Sequence, residues 1–242
     1  HEIHPLRFNL EPTNDNSLPM KGKEIFKYSP LLGFLLLVAY LYGICYLPLR
    51  GEEANRILTA YEMVKNGDFF NLTHLGEPYY LKPPLFEWVL AGINTLLGWS
   101  VEISRLVSVL SSFASALLVY LFSKQLYGDK TVALISAPVF LTLGDLIMFY
   151  GFVAEIDAFH TLVYFGGSLL TFWLLRRAKI GLAFFTAGVF TALLFLTKGF
   201  PALYHLPLTF LVFLFYFNLR GSLSFTALLG GTGGFLLPLL GW

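Results

Sequence analysis

Residues 50–85 read RGEEANRILTAYEMVKNGDFFNLTHLGEPYYLKPPL, and this polar stretch follows the first long apolar run of the chain. It opens with two adjacent carboxylates, Glu52 and Glu53, and closes with Lys82 and two prolines. Almost everything on either side of it is apolar. Acids and a helix-starting lysine gathered between apolar runs indicate a site for a charged lipid headgroup.

The composition places the chain among membrane proteins. Of its 242 residues, 56% are hydrophobic and 13% are charged, with a mean hydropathy of +0.68. A soluble domain carries about 25% charged residues. The chain is therefore predicted to be an all-α polytopic membrane protein. Its net charge of +1 gives no indication of a nucleic-acid partner.

The two ends of the sequence suggest a piece of a longer protein. Residues 1–19 are polar and precede Met20. We expect 1–28 to be a disordered or cytoplasmic N-terminal segment, with 1–19 disordered or foreign to the native protein. The sequence stops at Trp242, in or just after an apolar run, so we expect a truncated chain.

Apolar runs of the ~17–25 residues that cross a bilayer divide the rest. We predict a first transmembrane helix at 29–49, an outer loop at 50–105 and six further transmembrane helices within 106–242. The six later runs lie at 106–123, 131–150, 158–175, 181–197, 201–217 and 223–240.

The run at 83–99 is too short to cross. As a helix, ~16 residues reach only ~24 Å, less than the ~30 Å hydrocarbon core. If it does not cross, the N-terminal lysines and the short basic loops all face the cytoplasm, as the positive-inside rule requires. We therefore predict that it lies in the outer interface.

A second interfacial helix is predicted at the start of the outer loop. Its apolar residues recur at helical spacing, and Gly67 stands where such a helix would stop. They are Ala54, Ile57, Leu58, Tyr61 and Val64.

The paired acids are the candidate catalytic residues. Glu52 and Glu53 stand at the start of this helix, where the dipole and free N–H groups favour ionised carboxylates. Such a carboxylate can act as a general base toward an acceptor hydroxyl or amine. Simple helix capping is the alternative interpretation.

Two lysines next to proline-started helices are candidate phosphate ligands. Lys82 precedes Pro83, and Lys198 is followed by Gly199, Phe200 and Pro201. Proline favours the first turn of a helix, where free N–H groups add to the lysine charge. The alternative is that each lysine merely extends from a helix end to the aqueous interface.

Three further candidates lie where the third span is joined to the fourth. Glu155 and Asp157 are two residues apart, so we expect one to face the site and the other solvent. With His160 they could hold a divalent metal, although no closely spaced ligand set is present. Asp157 as a substrate ligand is the preferred interpretation. Asp145, inside the third predicted span, is either functional or paired with Arg105.

These features together resemble the polyprenyl-phosphate-sugar-dependent membrane glycosyltransferases of the GT-C superfamily. The resemblance extends to the protein O-mannosyltransferase-like and lipid A aminoarabinose transferase-like branches, and covers about residues 29–217. It rests on five features in order. They are the paired acids, Gly-x-Pro-Tyr-Tyr-x-Lys-Pro-Pro-Leu-x-x-Trp at 76–88, Ser104-Arg105-Leu106, Asp157 and Leu196-Thr197-Lys198-Gly199.

The resemblance implies a GT-C-type transmembrane helix bundle with two juxtamembrane helices in the first outer loop. It implies sugar transfer from a polyprenyl-phosphate carrier to a lipid, glycan or protein acceptor, at the periplasmic side of a bacterial inner membrane. Lys82, Lys198 and Asp157, with Glu155 and His160 beside them, would bind substrate.

The sequence departs from the family pattern at two positions. Glu52-Glu53 replaces an Asp-Glu pair, so either glutamate could be the base. Leu81 stands where some members carry a metal-binding Glu, so this position supplies no metal ligand, and no cofactor is assigned, with a divalent metal left open as an alternative. A transporter or lipid flippase is the alternative function, but such proteins place their charges near the bilayer midplane.

Overall fold

The computed structural model describes residues 22–217 and 224–240. The predictions for residues 1–19 lie outside the described residues. The described part is mainly helical. The helices, α1 to α9 in chain order, are Gly22–Tyr46, Glu53–Asn66, Leu85–Leu97, Val101–Tyr127, Lys130–Leu141, Ile156–Arg176, Ile180–Lys198, Ala202–Tyr216 and Phe225–Leu239.

Two smaller elements complete the described part of the chain. A short antiparallel hairpin, β1 (Thr73–His74) and β2 (Glu77–Pro78), connects α2 to α3. A single π-helical turn, Leu146–Tyr150, follows α5.

Four helices within the described ranges are long and apolar enough to cross a membrane. They are the Ser29–Tyr46 part of α1, α4, α6 and α7. Each of the six runs predicted after residue 105 overlaps one α-helix, but α5, α8 and α9 are only 12, 15 and 15 residues long. The chain is an all-α integral membrane protein, as predicted.

The predicted third span, 131–150, is not one continuous helix. Pro138 interrupts the hydrogen-bond ladder of α5, and the Thr142 hydroxyl donates back to its carbonyl at 3.0 Å. The Tyr40 hydroxyl of α1 donates a hydrogen bond to the Leu141 carbonyl at 2.9 Å. Asp145 lies just after this break, where it is exposed in the helical turn that leads into Leu146–Tyr150.

Local signals explain where the helices begin and end. Pro84 and Pro201 immediately precede α3 and α8, as the sequence predicts. The Ser100 hydroxyl accepts from the Ile103 N–H at 3.1 Å and caps α4. Gly67 ends α2 with φ +68°, in the left-handed region that glycine tolerates.

The two helices of the first loop pack their apolar faces on the bundle. Ala60 and Met63 of α2 meet Phe86 and Leu90 of α3, over Val107 and Ile156 at the starts of α4 and α6. α3 has 13 residues, about 20 Å, which is too short to cross. The location of α2 and α3 at the membrane surface stays a prediction.

Close backbone contact joins α7 to α9. A Cβ on Gly188 would collide with the carbonyl oxygen of Gly231, and one on Gly234 with the carbonyl oxygen of Phe185. Small residues allow such approach between helices in a membrane, where no hydrophobic force drives them together.

Candidate active site

The predicted site residues lie at one end of the bundle, which we call the polar end. Here α1 ends, α2 and α3 lie, α4 and α6 begin and α7 ends. Successive long helices run in alternating directions. Helix ends that are far apart in sequence therefore meet at this end. What the polar end can do depends on which charges remain accessible.

Glu53 is fully buried at this end. Its side chain is 0% exposed. Oε1 lies 2.7 Å from Arg105 Nη2, and Oε2 accepts from Arg105 Nε at 2.9 Å and from the Ala154 N–H at 3.0 Å. A bidentate guanidinium–carboxylate pair is the strongest form of this interaction. We call Glu53 and Arg105 the buried junction.

The Arg105 side chain also ties α4 to α1. Its guanidinium donates to four backbone carbonyls that follow or end α1, those of Gly43, Ile44, Leu47 and Pro48. Arg105 therefore anchors the start of its span. The alternative pairing of Arg105 with Asp145 is wrong, because Glu53 occupies the guanidinium.

Glu52 is accessible, although it is the neighbour of Glu53. Its side chain is 52% exposed, and Oε2 lies 2.6 Å from Arg56 Nη2, one turn along α2. Glu52 is the residue just before the helix begins and its backbone is not extended there. Its carboxylate therefore reaches water while one oxygen stays ion-paired.

Two loops hold this start of α2 by reciprocal bonds. Glu53 accepts from the backbone of Ala154, and the Glu155 carboxylate accepts from the Glu52 N–H at 2.6 Å. Gly51 adopts φ +55°, and a Cβ there would lie 2.7 Å from Glu155 Oε1. Burial raises the pKa of Glu155, while the Glu52 N–H counteracts part of that effect.

Asp157 and Lys198 form an ion pair that we call the open pair. The Lys198 Nζ and Asp157 Oδ1 are 2.5 Å apart, and the two side chains are 29% and 33% exposed. Contrary to expectation, neither Glu155 nor Asp157 turns away to solvent. Glu155 precedes α6 in extended conformation, so the helical face argument does not apply to it.

His160 lies behind the open pair. It is 6% exposed, and its Nδ1 is 2.7 Å from the Thr197 hydroxyl. That hydroxyl donates to the Leu194 carbonyl, so it accepts from the imidazole. The bond fixes α6 against α7 next to Asp157 and Lys198.

The two lysine turns meet, as the sequence suggested. A Cβ on Gly199 would lie 3.9 Å from Cγ of Pro83. Lys82 is partly buried, and its ammonium is close enough to Glu87 to favour the charged carboxylate. The turn before α3 and the turn after α7 therefore border one region.

Sequence reasoning missed a second buried ion pair. Arg56 Nη1 lies 2.8 Å from Glu87 Oε1, and the two side chains are 2% and 0% exposed. Burial raises the pKa of Glu87, and Arg56 and Lys82 oppose that effect. The available signals were the four-residue spacing from Glu52 to Arg56 and an acid within an apolar helix.

The described residues offer little to a metal ion. Across 22–217 and 224–240, no group of three or more His, Cys, Asp or Glu side chains is placed to hold one. His160 faces Thr197, and Glu155 is engaged by the Glu52 backbone. The described residues of the polar end therefore do not fit a divalent cation.

Comparison with known proteins identifies the family to which the chain belongs. Residues 81–242, about two thirds of the chain, match the family described as dolichyl-phosphate-mannose-protein mannosyltransferase. The chain is similar to two curated proteins named undecaprenyl phosphate-alpha-4-amino-4-deoxy-L-arabinose arabinosyl transferase. It is 29% identical over 191 residues to the one from Pseudomonas savastanoi pv. phaseolicola, covering 72% of this chain and 35% of the relative.

The second relative, from Aeromonas hydrophila subsp. hydrophila, is 30% identical over 179 residues, which covers 71% of this chain and 32% of the relative. The chain thus spans about a third of the length of the curated relatives that it matches.

Solved structures share the fold. The apo crystal structure of ArnT from Cupriavidus metallidurans superimposes with a TM-score of 0.67 at 17% identity, over 90% of this chain and 42% of that one. The structure of ArnT bound to undecaprenyl phosphate gives 0.60 at 16% identity, over 88% and 42%. The predicted GT-C-type bundle is confirmed, and the chain belongs to the dolichyl-phosphate-mannose-protein mannosyltransferase family.

Proposed function

We propose that this chain forms the donor-binding and catalytic part of a membrane glycosyltransferase. The enzyme would move a sugar from a polyprenyl-phosphate donor to a lipid, glycan or protein acceptor. The observation that carries the proposal is the chain of contacts at the polar end. The backbone of the accessible Glu52 bonds to Glu155 just before α6, Asp157 pairs with Lys198, and Gly199 lies beside Pro83.

Glu52 is the proposed general base. The two adjacent glutamates differ sharply in access, because Glu52 is half exposed and Glu53 is sealed against Arg105. A base must come within hydrogen-bond reach of the acceptor proton. Only Glu52 offers an accessible oxygen, so Glu53 is assigned to the architecture of the site.

The reaction is a single displacement at the anomeric carbon. Glu52 takes the proton of the acceptor hydroxyl or amine, whose oxygen or nitrogen forms the new bond to that carbon. The bond from the anomeric carbon to the phosphate oxygen breaks, and its electron pair leaves with polyprenyl phosphate. Phosphate is a good leaving group, so charge neutralisation and alignment are the main tasks of the protein.

Lys82 and Lys198 are proposed to neutralise the donor phosphate. Each lies beside the start of a helix, where free N–H groups add positive potential. Lys198 is paired with Asp157 but remains partly exposed. A phosphate could therefore share or replace that carboxylate. Glu155 and His160 would support the site from behind.

We place the site at the periplasmic face of a bacterial inner membrane, where lipid-linked sugars and extracytoplasmic acceptors meet. The names of the relatives make undecaprenyl phosphate-linked aminoarabinose a reasonable first donor to test. A transporter or lipid flippase is less well supported. The candidate site residues gather at one end of the bundle, whereas transporters place their charged residues near the bilayer midplane.

The test uses the full-length protein that contains this sequence, reconstituted in liposomes with polyprenyl-phosphate sugar donors. Glu52→Gln and Lys82→Ala should each lower transfer at least ~10-fold while leaving the fold intact. Glu62→Gln, which changes an acid on the same helix, is the matched control. Full activity in both site variants would refute the proposed mechanism.

A further inference from the structure

Arg56 has no part in the proposed reaction, yet it contacts the proposed base. Its Nη2 lies 2.6 Å from Glu52 Oε2. Its Nη1 lies 2.8 Å from Glu87 Oε1 and 3.2 Å from the Tyr79 hydroxyl. One guanidinium thus joins α2, the segment after the hairpin and the first turn of α3.

The two side chains of the Glu52–Arg56 contact differ in conformational freedom. Glu52 is half exposed, and Arg56 is 2% exposed against a fully buried Glu87. An exposed glutamate has several accessible rotamers, and restricting it carries an entropic penalty. A guanidinium that is itself immobilised offers a fixed hydrogen-bonding direction, because its donors form a rigid planar fork. The buried partners of Arg56 therefore limit where the Glu52 carboxylate can point.

The same contacts relate Glu52 to the lysine turn. Glu87 lies in the first turn of α3, directly after the segment that carries Lys82. A guanidinium bonded to both carboxylates keeps the proposed base at a set distance from that turn. Lysine at position 56 would supply the charge, but it lacks the fork needed to hold Glu52, Glu87 and Tyr79 together.

We propose that Arg56, anchored by Glu87 and Tyr79, is a positioning residue that orients the Glu52 carboxylate toward the acceptor. This role rests on the proposed function. It predicts that Arg56 acts on the rate of the chemical step and not on donor affinity. Small displacements of a reacting group can reduce a rate by about 100-fold.

Two independent measurements test the role. The first is kcat and donor KM per folded molecule for the full-length enzyme in liposomes. The variants are Arg56→Gln and Arg56→Lys, and the control is Lys65→Gln, which removes an exposed cation from the same helix. The second is carbodiimide modification of Glu52, read by mass spectrometry, which requires no turnover.

In Arg56→Gln we expect kcat to fall roughly 10- to 100-fold with donor KM within threefold. We expect Arg56→Lys to recover only part of the rate, and Glu52 to be modified faster in Arg56→Gln. Lys65→Gln should match the wild type in both measurements.

The positioning role is overturned if Arg56→Gln keeps the wild-type kcat per folded molecule, which would leave Arg56 a purely structural residue. An increase in KM alone, or unchanged modification of Glu52, also overturns it. A wild-type enzyme that transfers no sugar from any polyprenyl-phosphate donor would instead refute the proposed function itself, and the role of Arg56 with it.

Discussion

The buried junction and the open pair are both ion pairs at the polar end, and they differ in access to water. Glu53 and Arg105 are 0% and 2% exposed, and each side chain also bonds to the backbone of other segments. Asp157 and Lys198 are each about one-third exposed and are joined by one contact. Removing one member of a buried pair leaves an uncompensated charge, whereas an exposed pair is screened by solvent.

This difference separates architecture from chemistry within one cluster. The buried junction ties α1, α2 and α4 together and cannot change partners without local unfolding. The open pair can exchange one partner for an incoming anion at little energetic expense. Acids and lysines that look alike in the sequence therefore have different tasks.

Breaking the buried junction should have the largest effect. Arg105→Ala leaves Glu53 buried without its partner and frees four carbonyls, so we expect a loss of ~3–5 kcal/mol in the free energy of unfolding. Thermal unfolding in detergent, with the yield of folded protein, measures it. A variant as stable as the wild type would contradict the assignment of this pair to the architecture.

Gly51→Ala should have an intermediate effect. The substitution forces a left-handed alanine, at ~1–2 kcal/mol, and its Cβ meets Glu155 Oε1. Gly67→Ala is the matched control, because Gly67 also has positive φ but has no atom within 4 Å of the added Cβ. Thermal unfolding should show a larger loss for Gly51→Ala. Equal losses would mean that the contact with Glu155 does not constrain the loop.

Breaking the open pair should change stability least among the charge deletions. We expect Lys198→Ala to alter the free energy of unfolding by less than ~1 kcal/mol, measured by the same thermal unfolding assay. Binding of undecaprenyl phosphate to the folded variant should weaken at least ~10-fold, about 1.4 kcal/mol. A stable variant with unchanged binding would remove Lys198 from the proposed phosphate site.

The smallest expected effect is a pH dependence from Glu155. Burial raises its pKa above the ordinary value of 4.5, so the folded state binds the proton more tightly than the unfolded state. The stabilising contribution of Glu155 to the free energy of unfolding is fully present below pH 4.5 and is lost as the pH rises through the raised pKa. Glu155→Gln should remove this fall when unfolding is followed from pH 4 to pH 7. A steeper fall of the free energy of unfolding in the variant would mean that Glu155 contributes to the pH dependence with the opposite sign.

Much of the fold follows from sequence because apolar runs, prolines and capping residues act locally. Helix starts after Pro84 and Pro201 and the end of α2 at Gly67 were predicted, and the structure confirms them. The break after Leu141 was missed, since a run of apolar residues does not reveal where a proline and a threonine end a helix.

The site was only partly predictable. The order of the predicted spans puts Lys82, Lys198 and Asp157 at the same end of the bundle, and the structure places them there. Glu53 is buried and Glu52 is exposed because Arg105 pairs with Glu53. That pairing joins residues more than 50 positions apart, so the local sequence does not reveal it. The pairing of Arg56 with Glu87 is of the same kind, because no local spacing specifies it.

Topology offers the most direct test of the central claim, that Glu52, Lys82 and Lys198 share one aqueous region at the polar end. Cysteine would replace each residue singly in a Cys45→Ser background, because Cys45 is exposed. A membrane-impermeant thiol reagent would then be added to one side of oriented membranes. All three cysteines should react from the periplasmic side alone. Labelling of any one of them from the opposite side would contradict it.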